Sequence, residues 1–386
     1  MNSKAWKVSA SIIIALRSTV SRDSTPKVEC PNRISRGVSP GYSTSDKSNI
    51  NLLCVRRGET DRHLPGIHVF PGGHMEAADS SPAWIELYRS FGYEDNSFHS
   101  ISTGGGIEHM PDYKESRSSC IPGWMSLRLC AIRETFEESG ILLCRSPSAV
   151  EQGLPFASFV VLNELTAWQS RVRADPRQML ALCHAVGCVP DLWGLHLWSN
   201  WLTPTQQRIR HNSVFFLANL HSLPPYALDK SEMDELKCSS ACDLIEQAES
   251  REIRFANPQF YEVLRLSTFK DHQALASFAS LRAQHGCIRT MPVQEKVKDG
   301  LLCILPGDSK YPLNIDCQTF SEFVKRDKSF EELRNQVKEE KGILHRIEIP
   351  RDGPCQKVIT ENYIPPHKHV SPSRVNFTKN SNKSSL

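Results

Sequence analysis

Glu134, Glu137 and Glu138 put three carboxylates within five residues, directly after Arg133 and just before Gly140. Positions three and four apart on a helix share a face, so a helical reading gathers the three acids into one cluster. The surrounding apolar positions support that reading: Leu127, Leu129, Ala131, Ile132, Phe136 and Ile141 recur at helical spacing between Met125 and Leu143. Gly140 is a natural helix stop. Three acids on one face repel one another, and a hard divalent cation that takes carboxylate oxygens removes that cost. A solvated charge run is the competing explanation of the same residues. A metal-holding helix would have to be pinned against a core on its other side.

The rest of the chain allows such a core. It has 386 residues, enough for two or three domains or for one elaborated α/β domain with long insertions. Lys plus Arg total 46 and Asp plus Glu 43, a balance that does not advertise nucleic acid or a membrane surface as partner. Thirteen cysteines, without a repeated C-x-x-C, suggest neither a disulfide framework nor a zinc knuckle; Cys238 and Cys242 read as ordinary thiols. No apolar run approaches the roughly 20 residues a membrane helix needs.

Val8 to Leu16 and Asn51 to Arg56 read as buried strands, and Arg17 to Ile50, rich in Ser, Pro and Asn, as a loop inserted between them. The first 22 residues contain no acid and four basic residues, which is also the composition of a mitochondrial transit peptide; we prefer the strand. His211 to Leu220 is strand-like. Glu164 to Val186, Asn257 to Thr268 and Lys270 to His285 are helix-like, with a short helix at Trp84 to Phe91. Residues 79 to 126, with Gly104-Gly105-Gly106 at their centre, look like an excursion from the main fold. His184, His196 and His211, and the pair Trp198 and Trp201, have no partner at defined spacing and read as core or surface residues.

Arg133-Glu134-Thr135-Phe136-Glu137-Glu138-Ser139-Gly140-Ile141 resembles the second half of the Nudix box, and Gly73-His74-Met75-Glu76-Ala77-Ala78-Asp79 resembles the first, with Asp in place of Glu and Thr135 in place of a bulky apolar residue. Between Asp79 and Arg133 lie 53 residues where the usual pattern has seven. A box split in this way is similar to that of a coenzyme A diphosphatase branch of the family. The likeness extends to Phe70-Pro71-Gly72-Gly73, Trp198 to Pro204, Pro258 to Glu262 and Leu305 to Asp308, so it covers about residues 5 to 315. Upstream, Leu52-Leu53-Cys54-Val55-Arg56, Arg62 and Gly66 resemble the segment that coenzyme A-cleaving members carry before Phe-Pro-Gly-Gly, one residue longer between the arginines.

The resemblance implies the Nudix α/β/α sandwich with a mixed sheet, spanning residues 1–268 with insertions at 17–50 and 80–125. A helical or irregular C-terminal extension (269–370) and a disordered tail (371–386) would follow. It implies a Mg²⁺ or Mn²⁺ cofactor held by Glu134, Glu138 and Glu137, with Arg133 orienting a box carboxylate and Glu137 serving the chemistry. Gly72 and Gly73 would border the substrate, and Arg56 and Arg62, with Arg57 beside them, would offer planar forks to its phosphates. Glu235, weighed against Glu232, is the candidate base outside the box. The expected reaction cleaves the diphosphate of coenzyme A and its acyl esters into 3′,5′-ADP and (acyl-)phosphopantetheine. The second reading is a Nudix hydrolase acting on capped RNA or another nucleoside diphosphate derivative, but nucleic acid is not the expected partner. Ser384-Ser385-Leu386 is similar to the S-K-L peroxisomal address, so peroxisome and its import receptor are expected, with mitochondrion as the alternative.

Overall fold

The computed structural model describes residues 6–18, 48–59, 65–102, 121–146, 155–352 and 355–373. Most of the loop read between residues 17 and 50, the Gly104–Gly106 stretch, Arg62 and the chain end from 374 lie outside the described residues.

Among the described residues the first large sheet has β1 (Lys7–Arg17) at its centre. β2 (Ile50–Arg57), β3 (His68–Val69) and β4 (Gly72–His74) follow it; short β5 (Cys144–Arg145) and β6 (Val189–Pro190) pair apart from it. β7 (His196–Leu202), β8 (His211–Leu220), β9 (Met233–Ser240) and β10 (Arg289–Thr290) complete the large sheet. Its order is β10-β7-β8-β1-β2-β3, with β4 also on β1 and β9 also on β2. β1 runs parallel to β8 along Lys7–Leu16 and antiparallel to β2, so the sheet is mixed as expected.

β1 alternates between two cores. Ile12, Ile14 and Leu16 enter the cluster that holds the box helix, Gly123–Ser139, while Ile13 and Ala15 enter the cluster that holds the helices Ala241–Glu249, Asn257–Leu266 and His272–Ala283. A strand buried on both faces reads as a continuous apolar run, which is why SIIIAL stood out. The helix-like stretch Glu164 to Val186 is two helices, Leu165–Ala174 and Gln178–Val186, because Pro176 interrupts it.

β1 and β2 pair only from Ile14 to Arg17 and then diverge. β4 replaces β2 beside β1 at Ser9–Ser11, and β3 lines Val55 and Arg56 of β2. Phe70 and Pro71 bridge the gap, with the Pro71 carbonyl accepting from Ile12 N–H at 2.9 Å. This splay is the position from which Gly72 and Gly73 meet the box helix.

Two expectations are corrected. The extension 269–370 is not only helical or irregular. Helix His272–Ala283 belongs to the first sandwich, and β11 (Val293–Val297), β12 (Gly300–Ile304), β13 (Val324–Lys325), β14 (Leu344–Pro350) and β15 (Lys357–Glu361) form a second five-stranded sheet in the order β13-β11-β12-β14-β15. Helix Phe330–Glu339 accompanies it. Nor is the described first part of the 80–125 insertion detached: Trp84, Leu87, Tyr88, Tyr93 and Phe98 are buried in the main core. Phe98 and Tyr93 stack on Trp193, and the Tyr88 hydroxyl donates to the Pro190 carbonyl at 2.7 Å.

Candidate functional site

The box helix starts after Pro122 and stops where Gly140 turns left-handed at φ 73°, so its last turn projects Arg133 to Glu138 toward the splay between β1 and β2. Arg133 is the hub. Its Nε and one terminal nitrogen donate to the two oxygens of Asp79 at 2.8 and 2.9 Å, and the latter nitrogen also donates to the His74 carbonyl at 2.9 Å. The other nitrogen donates to Glu137 at 2.8 Å and lies 3.0 Å from Glu134. The two halves of the split motif are thus joined by one buried guanidinium. The Asp79 departure is absorbed locally: the residue sits in a 3-10 turn, Ala77–Ser80, where its carboxylate also accepts from Glu76 N–H at 2.8 Å.

Gly72 and Gly73 are fixed by proximity. Gly72 N–H donates to Glu138 at 2.9 Å, and its φ of 152° together with a Cβ that would fall 2.4 Å from the Ala10 carbonyl oxygen excludes larger residues. A Cβ on Gly73 would lie 2.4 Å from a Glu134 oxygen.

Burial dominates the electrostatics. It pushes the Glu134 carboxyl up to about 7, against the pull of Arg133, and Glu137 is raised for the same reason. Glu138, buried deepest, is raised well above the ordinary carboxylate range, by desolvation first and the charge of Glu134 second. Three carboxylates held above their ordinary range, in an all-oxygen donor set, fit a hard divalent cation, which would favour their ionised forms. Glu134, Glu137 and Glu138 are the residues that could hold it; Arg133 already steadies the first two and Gly72 the third.

The other expected residues separate. Arg56 is ion-paired with Asp234 at 2.9 Å and with Glu59, so its charge is engaged at the surface. Arg57, on the opposite face of β2, approaches Glu138 at 4.0 Å. Glu235 pairs in register with Arg56, lies 3.8 Å from His68 and 3.5 Å from Lys237, and does not join the carboxylate cluster. Glu232 is the nearer acid: its charge raises the proton affinity of both Glu137 and Glu138. Trp198 and Trp201 are core residues, both donating their indole N–H to buried Glu262, at 2.8 and 2.9 Å.

Sequence reasoning missed the loop that braces the helix end. Ala227 N–H donates to Ser139 O at 2.9 Å, Asp229 N–H to Glu138 O at 3.1 Å, and the Gln169 amide bridges the carbonyls of Glu137 and Ala227 at 2.8 Å each. Arg173 pairs with Asp229 beneath it. Each of these contacts is non-local, with no motif to flag it.

A mixed sheet between helical layers, with an Arg-bound acid cluster on a glycine-stopped helix beneath a Gly-Gly strand, defines a Nudix hydrolase. The NUDT19 Nudix domain model matches residues 6–266 and the NUDT19 C-terminal domain model residues 296–356. The chain belongs to the NUDT19 family of Nudix hydrolases. It is similar to the acyl-coenzyme A diphosphatase NUDT19 of Gallus gallus, 33% identical with 98% of each chain covered. The Xenopus laevis protein of that name is 31% identical over 96% of each chain, and the Homo sapiens protein 32% identical over 95% of this chain and 94% of its own.

Proposed function

We propose that this chain is a metal-dependent diphosphatase that cleaves coenzyme A and acyl-coenzyme A to 3′,5′-ADP and (acyl-)phosphopantetheine. The observation that carries the reading is the Arg133-centred cluster of Glu134, Glu137 and Glu138 under Gly72 and Gly73. The names of its relatives, similar over nearly their whole length, supply the substrate class. Mg²⁺ or Mn²⁺, when bound by the three glutamates, would neutralise charge on the diphosphate. Arg133 holds Asp79, Glu134 and Glu137 in place; Gly72 N–H orients Glu138. Glu232, rather than Glu235, is the candidate to take a proton from the attacking water, and Arg57, rather than Arg56, is the arginine at the cluster. The compartment reading is the peroxisome, resting on the family and on the Ser384-Ser385-Leu386 end, with an import receptor as partner; loss of import on deleting those three residues tests it.

The test of activity is product analysis with Mg²⁺ or Mn²⁺ over coenzyme A, acyl-coenzyme A, dephospho-coenzyme A, ADP-ribose, NADH and capped RNA. Preferred release of 3′,5′-ADP from the coenzyme A substrates is expected. Faster turnover of capped RNA or of ADP-ribose would replace the coenzyme A reading.

A further inference from the structure

Beyond the end of the box helix, three cysteines meet. Cys144 is in β5, four residues beyond the glycine that ends the box helix, and pairs in register with Pro190 of β6. Cys183 is in the last turn of helix Gln178–Val186, and the chain then doubles back so that Cys188 N–H donates to the Cys183 carbonyl at 3.0 Å. All three side chains are buried, and their sulfur atoms all lie within 4.8 Å of one another. Among the described residues, no other group of three or more His, Cys, Asp or Glu side chains draws its ligand atoms this close.

The spacing can be tested against the chemistry. Three sulfurs around one ion at the usual metal–sulfur length of about 2.3 Å stand about 4 Å apart, within reach of these positions by small rotations. A disulfide needs about 2.05 Å between two sulfurs and leaves the third unused. Leu143, Leu182 and Val189 lie in the same core cluster, and the buried Tyr88 hydroxyl is within electrostatic reach of Cys144 and Cys183, so the site is dominated by sulfur and suits a thiophilic ion better than a hard one. We propose that Cys144, Cys183 and Cys188 form a three-sulfur site for a thiophilic closed-shell cation such as Cu⁺ or Zn²⁺. Binding releases the thiol protons to solvent. Three thiolates leave one net negative charge around Zn²⁺ and two around Cu⁺, and the charge of Arg145, next in sequence to Cys144, is already paired with Asp191 at 2.5 Å. The ion would tie the strand that leaves the box helix to the end of a second helix. It would not compete with Mg²⁺ or Mn²⁺, whose site is all oxygen.

The experiment uses the full chain, reduced, stripped and handled without oxygen, then loaded with Cu⁺ or Zn²⁺ and challenged with a chelator. We expect retention of about one ion per chain, and a first shell of three sulfurs at about 2.2–2.3 Å by X-ray absorption. Cys183→Ser and Cys188→Ser should each lose the ion, while Cys242→Ser, at an exposed cysteine, should keep it. Equal retention in wild type and both buried-site variants, or a first shell dominated by nitrogen and oxygen, would overturn the proposal. Should the serine variants fail to fold, the wild-type absorption spectrum decides by itself: a three-sulfur shell supports the site and any other shell, or no retained ion, removes it.

Discussion

Arg133 has five contacts to three acids and one carbonyl, and it is fully enclosed, so its loss should be felt as structure before it is felt as catalysis. Arg133→Ala leaves buried Asp79 with only the Glu76 N–H and no opposite charge, and a broken buried pair costs about 3–5 kcal/mol, readable in urea unfolding. A loss below about 1 kcal/mol would mean that water reaches Asp79. Glu134→Gln should do the opposite in metal-free protein. The folded carboxyl is raised from 4.5 to about 7, so the stability it allows is present below pH 4.5 and is lost as pH rises toward 7. The variant has no such loss; in chelator at pH 8 it should exceed wild type by up to the order of 3 kcal/mol, and at pH 4 the two should converge. Its diphosphatase activity, and that of Glu138→Gln, should fall to background at saturating metal. These residues were legible in the sequence because helix periodicity alone brings Arg133, Glu134, Glu137 and Glu138 together. Arg56 and Glu235 lie apart from this cluster because strand residues alternate faces, and the register between β2 and β9 shifts at Arg56/Arg57, which no local pattern reveals. Glu232→Gln should therefore lower kcat by about 10²–10⁴-fold, as for a lost general base, and Glu235→Gln by much less. Equal kcat in the two variants would return the assignment to neither.

At the level of elements, the insertion within the box is the point where local composition misled. Its Gly-rich centre suggests an excursion from the main fold, yet helix Ala83–Ser90 contributes Trp84, Leu87 and Tyr88 to the same core as the box helix. Tyr88 meets Tyr93, Phe98 and Trp193 edge to face, and its hydroxyl satisfies Pro190. Tyr88→Ala should cost about 3–5 kcal/mol through the cavity, with a little more for the freed carbonyl. Tyr88→Phe should cost only about 0.5–1.5 kcal/mol for the hydrogen bond, and thermal unfolding of the pair separates the two contributions. A small loss for the alanine variant would mean that this segment is an excursion from the main fold after all. The second sheet was missed for a related reason. VQEKV and GLLCI are five-residue strands, too short to register as periodic. The three-cysteine cluster was equally hidden, since its members come from a strand, a helix end and the turn after it.

Considered whole, the molecule is organised around β1, which binds β8 along its length on one edge and β4 then β2 on the other. The same strand carries the transit-peptide composition of the first 22 residues, so one stretch of sequence supports two incompatible fates. Removal of residues 1–22 in a mitochondrion would take away Ile12, Ile13 and Ile14, each fully buried, and would unpair ten residues of β8. Full burial of one such side chain is worth about 1.5–3 kcal/mol, and three of them rival the 5–15 kcal/mol that holds a typical domain together, before the lost ladder is considered. The unpaired β8 would also present an apolar edge open to another chain. A chain lacking residues 1–22 should thus be insoluble or unfolded, and mass spectrometry of protein recovered from cells should find Lys7–Arg17 retained. Recovery of a folded, active chain that begins after Arg22 would mean that another segment replaces the central strand, and would make the mitochondrial reading the stronger one.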